Sequence, residues 1–376
     1  MKAMKDYEKI LKEQLVDLPT PSNLNYWFGV GVGLGFVYVI QILSGFILSL
    51  FYSVDLNLGG FWSVVSIMQD TKSGWFVRFM HSSGASVFMG LIYLHILRGL
   101  FYGSFKKVSV WVSGVIVLVV AFGVCFLGYV LPWGSMSFWG MTVVVSMLGA
   151  IPLVGGYMTE VLWGGSSAGV HSLARFFSLH YLLGLVVMVV VVIHLVELHR
   201  KGSSNPLGVN SDLDKVLFTS LFVVKDVLGL MGLVLLYWWV VLGVPYGLMD
   251  AANFEEVSLV KTPTHIKPEW YLLFAYCILR AVPSKLGGVI LMFLGIIIII
   301  MPSVVQSVGI YRGVGGMVYK GLLVMWVTDF AALTWLGASL AEYPYDVLGQ
   351  VFTVAYFLLM GMMVSVLMVE NRIGGW

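Results

Sequence analysis

Charged residues are scarce in this chain of 376 residues. Lysine, arginine, aspartate and glutamate together make up 11% of it, whereas hydrophobic residues make up 59%. Soluble domains carry about 25% charged residues, so the composition excludes that class and indicates a membrane protein. Cysteine is also scarce. Cys125 and Cys277 stand alone in apolar surroundings, without the spacing of a disulfide framework or a metal site, and we expect both to be packing residues.

Long apolar runs, in contrast, are abundant. We predict an all-α membrane protein, because eight runs of about 20 residues or more can each cross roughly 30 Å of hydrocarbon as a helix. The eight runs lie near residues 29–52, 75–103, 110–132, 172–199, 219–245, 286–306, 319–340 and 346–368. A charged segment without an apolar signal precedes them, and we expect it to form an amphipathic surface helix. With both termini inside, lysine and arginine number 14 inside and 7 outside, which is the orientation that the positive-inside rule favours.

Two pairs of histidines share one spacing. His81 and His95 are 14 residues apart in the second run, and His180 and His194 are 14 apart in the fourth. On a helix this spacing separates two side chains by about 21 Å and leaves them within about 40° of one face. The two runs cross the membrane in the same direction, so His81 is level with His180 and His95 with His194. Paired imidazoles suit a six-coordinate haem that transfers electrons, and the pattern predicts a four-helix bundle with two haems.

Glycine repeats the same spacing in the first and third runs. Gly31 and Gly45 are 14 residues apart, as are Gly114 and Gly128. Because glycine has no side chain, we expect these positions to leave room for the edge of each porphyrin. Haem propionates need cations or hydrogen-bond donors, and arginine can bind a carboxylate with two hydrogen bonds. The candidates near the histidines or the inner end of the bundle are Arg78, Arg98, Arg175, Ser104 and Trp111.

Two other functions remain compatible with the histidines. A membrane transporter or channel could use them as a proton relay. It would not need the repeated glycines, and it would contain no haem. The second alternative is the dihaem anchor of another dehydrogenase. Such anchors are usually shorter chains that lack the last four spans. No nucleic-acid partner is expected, although the net charge of +2 by itself says nothing useful on that point.

Several motifs along the whole chain carry a family resemblance. They include RFMHSSGAS from Arg78, GYVLPWGSMSFWG from Gly128, HLVELH from His194 and HIKPEWYLLFAY from His265. In these motifs the chain resembles mitochondrial-type cytochrome b, the haem-bearing core subunit of the quinol–cytochrome c reductase (cytochrome bc complex, respiratory complex III). The spacing of 14 in the second histidine pair favours the mitochondrial or bacterial form over the plastid form.

The resemblance implies a division of the chain and an assignment of the haem ligands. A surface segment of residues 1–28 would precede a dihaem domain of residues 29–205. Residues 206–376 would form a C-terminal domain with four transmembrane helices. His81 and His180 would bind a low-potential haem b on the outer side, and His95 and His194 a high-potential haem b on the inner side.

A quinol oxidation site is implied in the loop before the sixth span. Its motif is PEWY, which comprises Pro268, Glu269, Trp270 and Tyr271. A single carboxylate in such a loop could equally be a solvated acid. The resemblance instead makes Glu269 a base that accepts a proton from quinol, with Tyr271 beside it. Residues 128–140, which end at Gly140, would form the opposite wall. Within this stretch, Ser135 stands where glutamine is more usual, and we expect altered binding of ligands.

A quinone reduction site is implied at the inner face. Polar residues at the ends of spans four and five are ordinary interface residues by default. The resemblance places four of them around the quinone: His199, Ser203, Lys225 and Asp226. His199 and Asp226 would be the hydrogen-bond and proton partners of its oxygens. Gly29 stands where asparagine is common, so the contact from the first span should differ.

The resemblance also implies the overall reaction and its setting. Ubiquinol would be oxidised outside and quinone reduced inside, which couples electron transfer to proton translocation in a Q-cycle. The chain would work only in a homodimeric complex with a Rieske iron–sulfur protein, a cytochrome c-type subunit, further complex III subunits and membrane lipids. The expected location is the mitochondrial inner membrane with both termini on the matrix side. A bacterial cytoplasmic membrane is the alternative.

Overall fold

A computed structural model describes residue 12 and residues 17–54, 59–306 and 315–373. Most of the expected surface segment, residues 1–28, therefore lies outside the described residues. Thirteen α-helices occur in the described part. They are α1 (Val30–Ser49), α2 (Gly59–Gln69), α3 (Gly74–Phe101), α4 (Val108–Val130), α5 (Ser135–Leu148), α6 (Gly155–Trp163), α7 (Val170–Lys201), α8 (Phe218–Trp238), α9 (Leu273–Arg280), α10 (Lys285–Ile297), α11 (Met301–Gln306), α12 (Met317–Gly337) and α13 (Tyr345–Ile373).

Eight helical segments of the described chain are long and apolar enough to cross a membrane, as the sequence predicts. They are Tyr26–Ser49, Gly74–Phe101, Val108–Val130, Val170–Lys201, Leu221–Gly243, Lys285–Val305, Met317–Gly337 and Tyr345–Glu370. Their lipid-facing sides are apolar. In α7, for example, Val189, Val192 and Val196 are each more than half exposed. A helix also pairs its backbone polar groups internally, as a hydrocarbon environment requires.

The first four spans form a bundle of two packed pairs. Helix α1 packs along α3, and α4 packs along α7. The pairs are joined across the bundle, since the hydroxyl of Tyr38 on α1 donates to the carbonyl of Gly184 on α7 at 2.5 Å. Both histidine-bearing helices, α3 and α7, therefore face the interior of one bundle. This arrangement agrees with the predicted four-helix bundle.

The last spans form a second group around the short helix α9, which packs against α10 and α12, while α12 packs against α13. Its centre is aromatic, with the rings of Phe274 and Phe330 4.7 Å apart. Hydrogen bonds connect this group to the first bundle, among them one from the hydroxyl of Tyr93 on α3 to the carbonyl of Tyr271 just before α9. Trp111 donates from Nε1 to the carbonyl of Ile299 at 2.7 Å, and the hydroxyl of Tyr319 donates to the carbonyl of Leu100 at 3.2 Å.

The only sheet in the described chain is a two-stranded antiparallel ribbon, which the sequence did not predict. Strands β1 (Pro19–Pro21) and β2 (Lys215–Leu217) pair with Thr20 opposite Val216. Each strand has three residues, too few to show the alternating pattern by which strands are recognised. The ribbon ties the segment before the first span to the segment before the fifth.

The loop between α8 and α9 lies across the end of the bundle where α4 ends and α5 begins. Asn253 accepts from the backbone N–H of Ser137 at 2.9 Å through Oδ1. The backbone N–H of Ser135 donates to the carbonyl of Glu255 at 2.9 Å, and Trp62 donates to Glu256 at 3.0 Å. The loop is thereby fastened to α2 and to the start of α5.

Candidate functional site

The four histidines meet as two pairs inside the bundle. The rings of His81 and His180 have centroids 6.0 Å apart and planes at 88°. Those of His95 and His194 are 6.4 Å apart at 64°. Metal–imidazole bonds are about 2 Å long, so a metal ion held between two rings separates their centroids by roughly 6 Å. Each pair therefore has the spacing needed to hold one ion such as a haem iron.

Hydrogen bonds at Nδ1 orient three of the four rings. The hydroxyls of Ser44 and Ser113 each donate to a backbone carbonyl of their own helix, at 2.6 and 2.9 Å. They can therefore accept from Nδ1 of His81, at 3.1 Å, and of His194, at 2.9 Å. His180 can donate from Nδ1 to a carbonyl of α4 at 2.8 Å. A proton on Nδ1 leaves the lone pair of Nε2 free to bind a metal.

The fourth ring, His95, has a different neighbour. Nη2 of Arg98 lies 3.2 Å from Nδ1 of His95, and Nη1 lies 3.4 Å from Oγ of Ser104. A guanidinium only donates, so this contact does not favour a proton on Nδ1. Nε of Arg98 is buried without a hydrogen-bond partner. An anion such as a haem propionate would supply the missing acceptor and draw Arg98 away from the ring, so these residues fit a haem.

Each of the four predicted glycines lies against one of the four histidines. A Cβ added to the glycine would lie this far from the imidazole carbon Cε1: 2.8 Å for Gly45 and His81, 2.5 Å for Gly128 and His180, 3.3 Å for Gly31 and His95, and 3.2 Å for Gly114 and His194. The four glycines therefore leave room for the imidazole rings, and the clearance for a porphyrin edge stays a prediction. The clearance is tighter at His81 and His180, where a side chain on the glycine would displace the ring.

The remaining residues predicted to hold haem have different surroundings. Arg78 lines a cavity beside His81. Arg175 is exposed, and its guanidinium donates to the carbonyl of His171 at 3.2 Å, toward the start of α7 and away from His180. The indole Nε1 of Trp111 donates its hydrogen bond to the carbonyl of Ile299 in the C-terminal group of helices, and not toward a histidine. The structure thus brings Arg78 and Arg98 toward the histidines but not Arg175.

A cavity of about 1230 Å³ joins the His81–His180 pair to the PEWY loop. Its walls include His81, His180, Glu269 and Tyr271. Cys125, expected to be a simple packing residue, also lines it. Neither Pro268 nor Gly140 is among the described residues of its walls. The space between the imidazoles of His81 and His180 is therefore continuous with the space beside the Glu269 carboxyl.

The environment of Glu269 suits it to exchange protons near neutral pH. Burial of the carboxyl raises its pKa to about 7, and the negative charge of Asp250 adds to this rise. The positive charge of Arg78 opposes the increase. A carboxyl with a pKa of about 7 is partly ionised at neutral pH, and it can both accept and release a proton.

The residues predicted for an inner quinone site lie where α7 ends and α8 begins. Lys225 donates from Nζ to the carbonyl of Leu24 at 2.7 Å. Oδ1 of Asp226 lies 2.8 Å from the position that a Cβ on Gly29 would take. The missing side chain of Gly29 thus lets the Asp226 carboxylate approach the first span. His199 belongs to the last turn of α7, and Ser203 follows that helix.

Comparison with known proteins agrees with these features over nearly the whole chain. Residues 15–202 match the family model described as cytochrome b/b6/petB, and residues 256–357 match cytochrome b(C-terminal)/b6/petD. The chain is 55% identical to cytochrome b of Leptorhynchoides thecatus over 351 residues, which cover 93% of this chain and 94% of that one. It is 44% identical to cytochrome b of Apis mellifera ligustica over 341 residues, which cover 91% and 88%.

The fold also matches a solved structure. A chain of a hyperthermophilic respiratory Complex III superposes with a TM-score of 0.87 and 26% identity, and the match covers 100% of both chains. The two alternatives, a histidine-relay transporter and the anchor of another dehydrogenase, do not account for these matches. The chain therefore belongs to the cytochrome b family, as the haem-bearing core subunit of a quinol–cytochrome c reductase.

Proposed function

We propose that the chain binds two haems b, one between His81 and His180 and one between His95 and His194. The observation that carries this proposal is the ring spacing of 6.0 and 6.4 Å in the two pairs. A bound haem supplies one-electron oxidation and reduction at its iron. The chain's own residues hold three of the four imidazoles through hydrogen bonds at Nδ1, and glycines leave room for all four rings.

Quinol oxidation is proposed in the outer cavity. There the ionised carboxyl of Glu269 accepts a proton from a quinol hydroxyl, while Tyr271 forms part of the wall. Arg78 favours the ionised form of Glu269. Most of the cavity wall is apolar, which disfavours water beside the carboxyl. Support comes from the continuity of this cavity with the outer histidine pair, since a quinol held beside Glu269 would also lie close to the first electron acceptor of the bundle.

Quinone reduction is proposed at the opposite end of the bundle. Asp226 and His199 would supply hydrogen bonds and protons to the quinone oxygens, with Lys225 and Ser203 beside them. Together the two sites would form a Q-cycle that releases protons outside and takes them up inside. Residues 29–205 would carry both haems, and residues 206–376 would complete both quinone sites.

The proposed setting is an oligomeric complex in the mitochondrial inner membrane. We infer that the chain is active as an oxidoreductase only with a Rieske iron–sulfur protein and a cytochrome c-type subunit, in a homodimer with both termini on the matrix side. The Complex III match supports a multi-subunit assembly. Eight apolar spans support an integral membrane location.

A redox titration of the purified complex tests the haem assignment. Dithionite-reduced minus oxidised spectra should contain two b-type components of separate midpoint potential. A pyridine haemochrome assay should give two haems b per chain, because the bundle has two imidazole pairs at two depths. A single b component, or one haem per chain, would contradict the assignment.

Alanine at Gly128 should disturb the outer haem more than alanine elsewhere on α4. Its Cβ would lie 2.5 Å from the His180 ring, so the ring must move, and overpacking of this kind costs about 1–3 kcal/mol. We expect lower haem occupancy or a shifted potential of one component in a redox titration. Gly123→Ala is the matched control, because its Cβ would meet only Leu183 at 3.8 Å. Equal spectra for both variants would contradict the steric argument.

A further inference from the structure

The loop between α3 and α4, residues 102–107, holds the end of α7. Nζ of Lys107 donates to the carbonyl of Lys201 at 3.0 Å and also to the carbonyl of Gly202. The last carbonyls of an α-helix have no partner within the helix, and a cation stabilises that end. Helix α7 ends at Lys201, and Gly202 turns the chain away with a φ of 71°. Lys107 therefore satisfies two carbonyls at the point where the chain leaves α7.

A second contact joins the same loop to the residues after α7. Oγ of Ser104 and Oγ of Ser204 are 2.8 Å apart, so one hydroxyl donates to the other. Oγ of Ser104 also lies 3.4 Å from Nη1 of Arg98, whose Nη2 is 3.2 Å from Nδ1 of His95. The residues after α7 are thereby connected, through two side chains, to the histidine pair at this end of the bundle.

The segment held by the loop carries part of the proposed quinone reduction site. His199 belongs to the last turn of α7, and Ser203 lies between Gly202 and Ser204. Asp226, the other proposed partner of the quinone, belongs to α8. Groups that bind a substrate must be held within roughly 0.5 Å of the productive geometry by the residues that support them. The loop supplies such support on both sides of Ser203.

We propose that Lys107 is a positioning residue of the quinone reduction site, with the hydroxyl pair of Ser104 and Ser204 as a second support. This inference rests on the proposed function of that site. Lys107 acts through the backbone at the end of α7, and not on the quinone itself. Without its ammonium group two carbonyls lose their donor, and the last turn of α7 opens more often. The quinone is then bound more weakly, while the groups that react with it remain.

Lys107→Ala tests this role in the assembled complex. A Glu269→Gln background slows quinol oxidation at the opposite site, so that stopped-flow reduction of the His95–His194 haem by a short-tailed ubiquinol reports the quinone reduction site. The quinol concentration that gives half the limiting rate should rise about tenfold, as the loss of hydrogen bonds from a charged donor permits. The limiting rate should stay nearly unchanged, because the reacting groups are intact. Lys107→Arg keeps a cationic donor and should restore the original value.

Lys201→Ala is the matched control. Its side chain is exposed, and its backbone carbonyl stays in place as an acceptor for Lys107, so the quinol dependence should not change. Hydrogen–deuterium exchange adds a readout that is independent of activity. The amides of residues 199–204 should exchange faster in Lys107→Ala, but not in Lys201→Ala. If Lys107→Ala does not assemble, Ser204→Ala removes a single oxygen and should give a smaller change in the same direction in both measurements.

An unchanged quinol dependence in both Lys107→Ala and Ser204→Ala would overturn the inference, as would a fall in the limiting rate alone. Asp226→Asn separates this result from a failure of the proposed function. If Asp226→Asn abolishes reduction of the haem by quinol while Lys107→Ala has no effect, only the positioning role is wrong. If neither variant has an effect, the quinone reduction site itself is wrongly assigned, and the positioning role falls with it.

Discussion

Replacing His180 with leucine should remove one of the two haem b components and abolish turnover of quinol by the complex. His180 would supply one of the two axial nitrogens at the outer level, and leucine offers no ligand in its place. The inner pair, His95 and His194, is left intact. A pyridine haemochrome assay should therefore fall from two haems per chain to one, and the lower-potential component should disappear from a redox titration.

The matched control for this substitution is His171→Leu. His171 belongs to the same helix, is exposed, and contributes its backbone carbonyl to Arg175. Replacement of its side chain should leave both components unchanged. If His180→Leu prevents assembly altogether, the spectrum of the membranes still reports whether the high-potential component survives. Two undiminished components in His180→Leu would disprove the ligand assignment.

Replacing Glu269 with glutamine should slow quinol oxidation by about 10²–10⁴-fold, the usual contribution of a general base. The carboxyl accepts a proton only when it is ionised. Because its pKa is about 7, the rate of the unaltered complex should fall as the pH drops below 7 and level off above it. Glutamine does not titrate, so the variant should lack this part of the pH dependence. Stopped-flow reduction of the outer haem by quinol measures both effects.

Glu255→Gln is the matched control for Glu269→Gln. Its side chain is exposed on the same loop, and only its backbone carbonyl holds Ser135. The control should keep the rate and the pH profile of the unaltered complex. Reduction of the inner haem by quinol through the opposite site should stay near normal in both variants. An equal loss by both routes would indicate a general structural effect instead of a lost base.

The pairing of the histidines could be predicted from sequence because it depends on helix geometry alone. A spacing of 14 residues places two side chains on one face of a helix at two depths in the membrane. Because the second and fourth spans run in the same direction, the first histidine of one lies level with the first histidine of the other. The eight apolar spans follow from length and hydropathy in the same way. These features need no knowledge of how the helices pack side by side, and the structure agrees with both.

Features that depend on side-chain direction could not be predicted. Arg175 is five residues from His180, yet its guanidinium turns toward His171. Each of the four glycines also lies against an imidazole ring, a contact that the 14-residue spacing does not reveal. The ribbon of β1 and β2 joins segments almost 200 residues apart through three-residue strands. Each of these depends on contacts between distant segments that a local pattern does not contain.

The depth of the two histidine pairs has an electrical consequence. A 14-residue step spans about 21 Å of helix, roughly 70% of a hydrocarbon layer about 30 Å thick. An electron that passes between the two levels would therefore cross most of the insulating part of the membrane. Each 100 mV of membrane potential would oppose that passage by about 1.6 kcal/mol, as 70% of the roughly 2.3 kcal/mol for a full crossing. The bundle itself would thus charge the membrane, in addition to any protons released at its two faces.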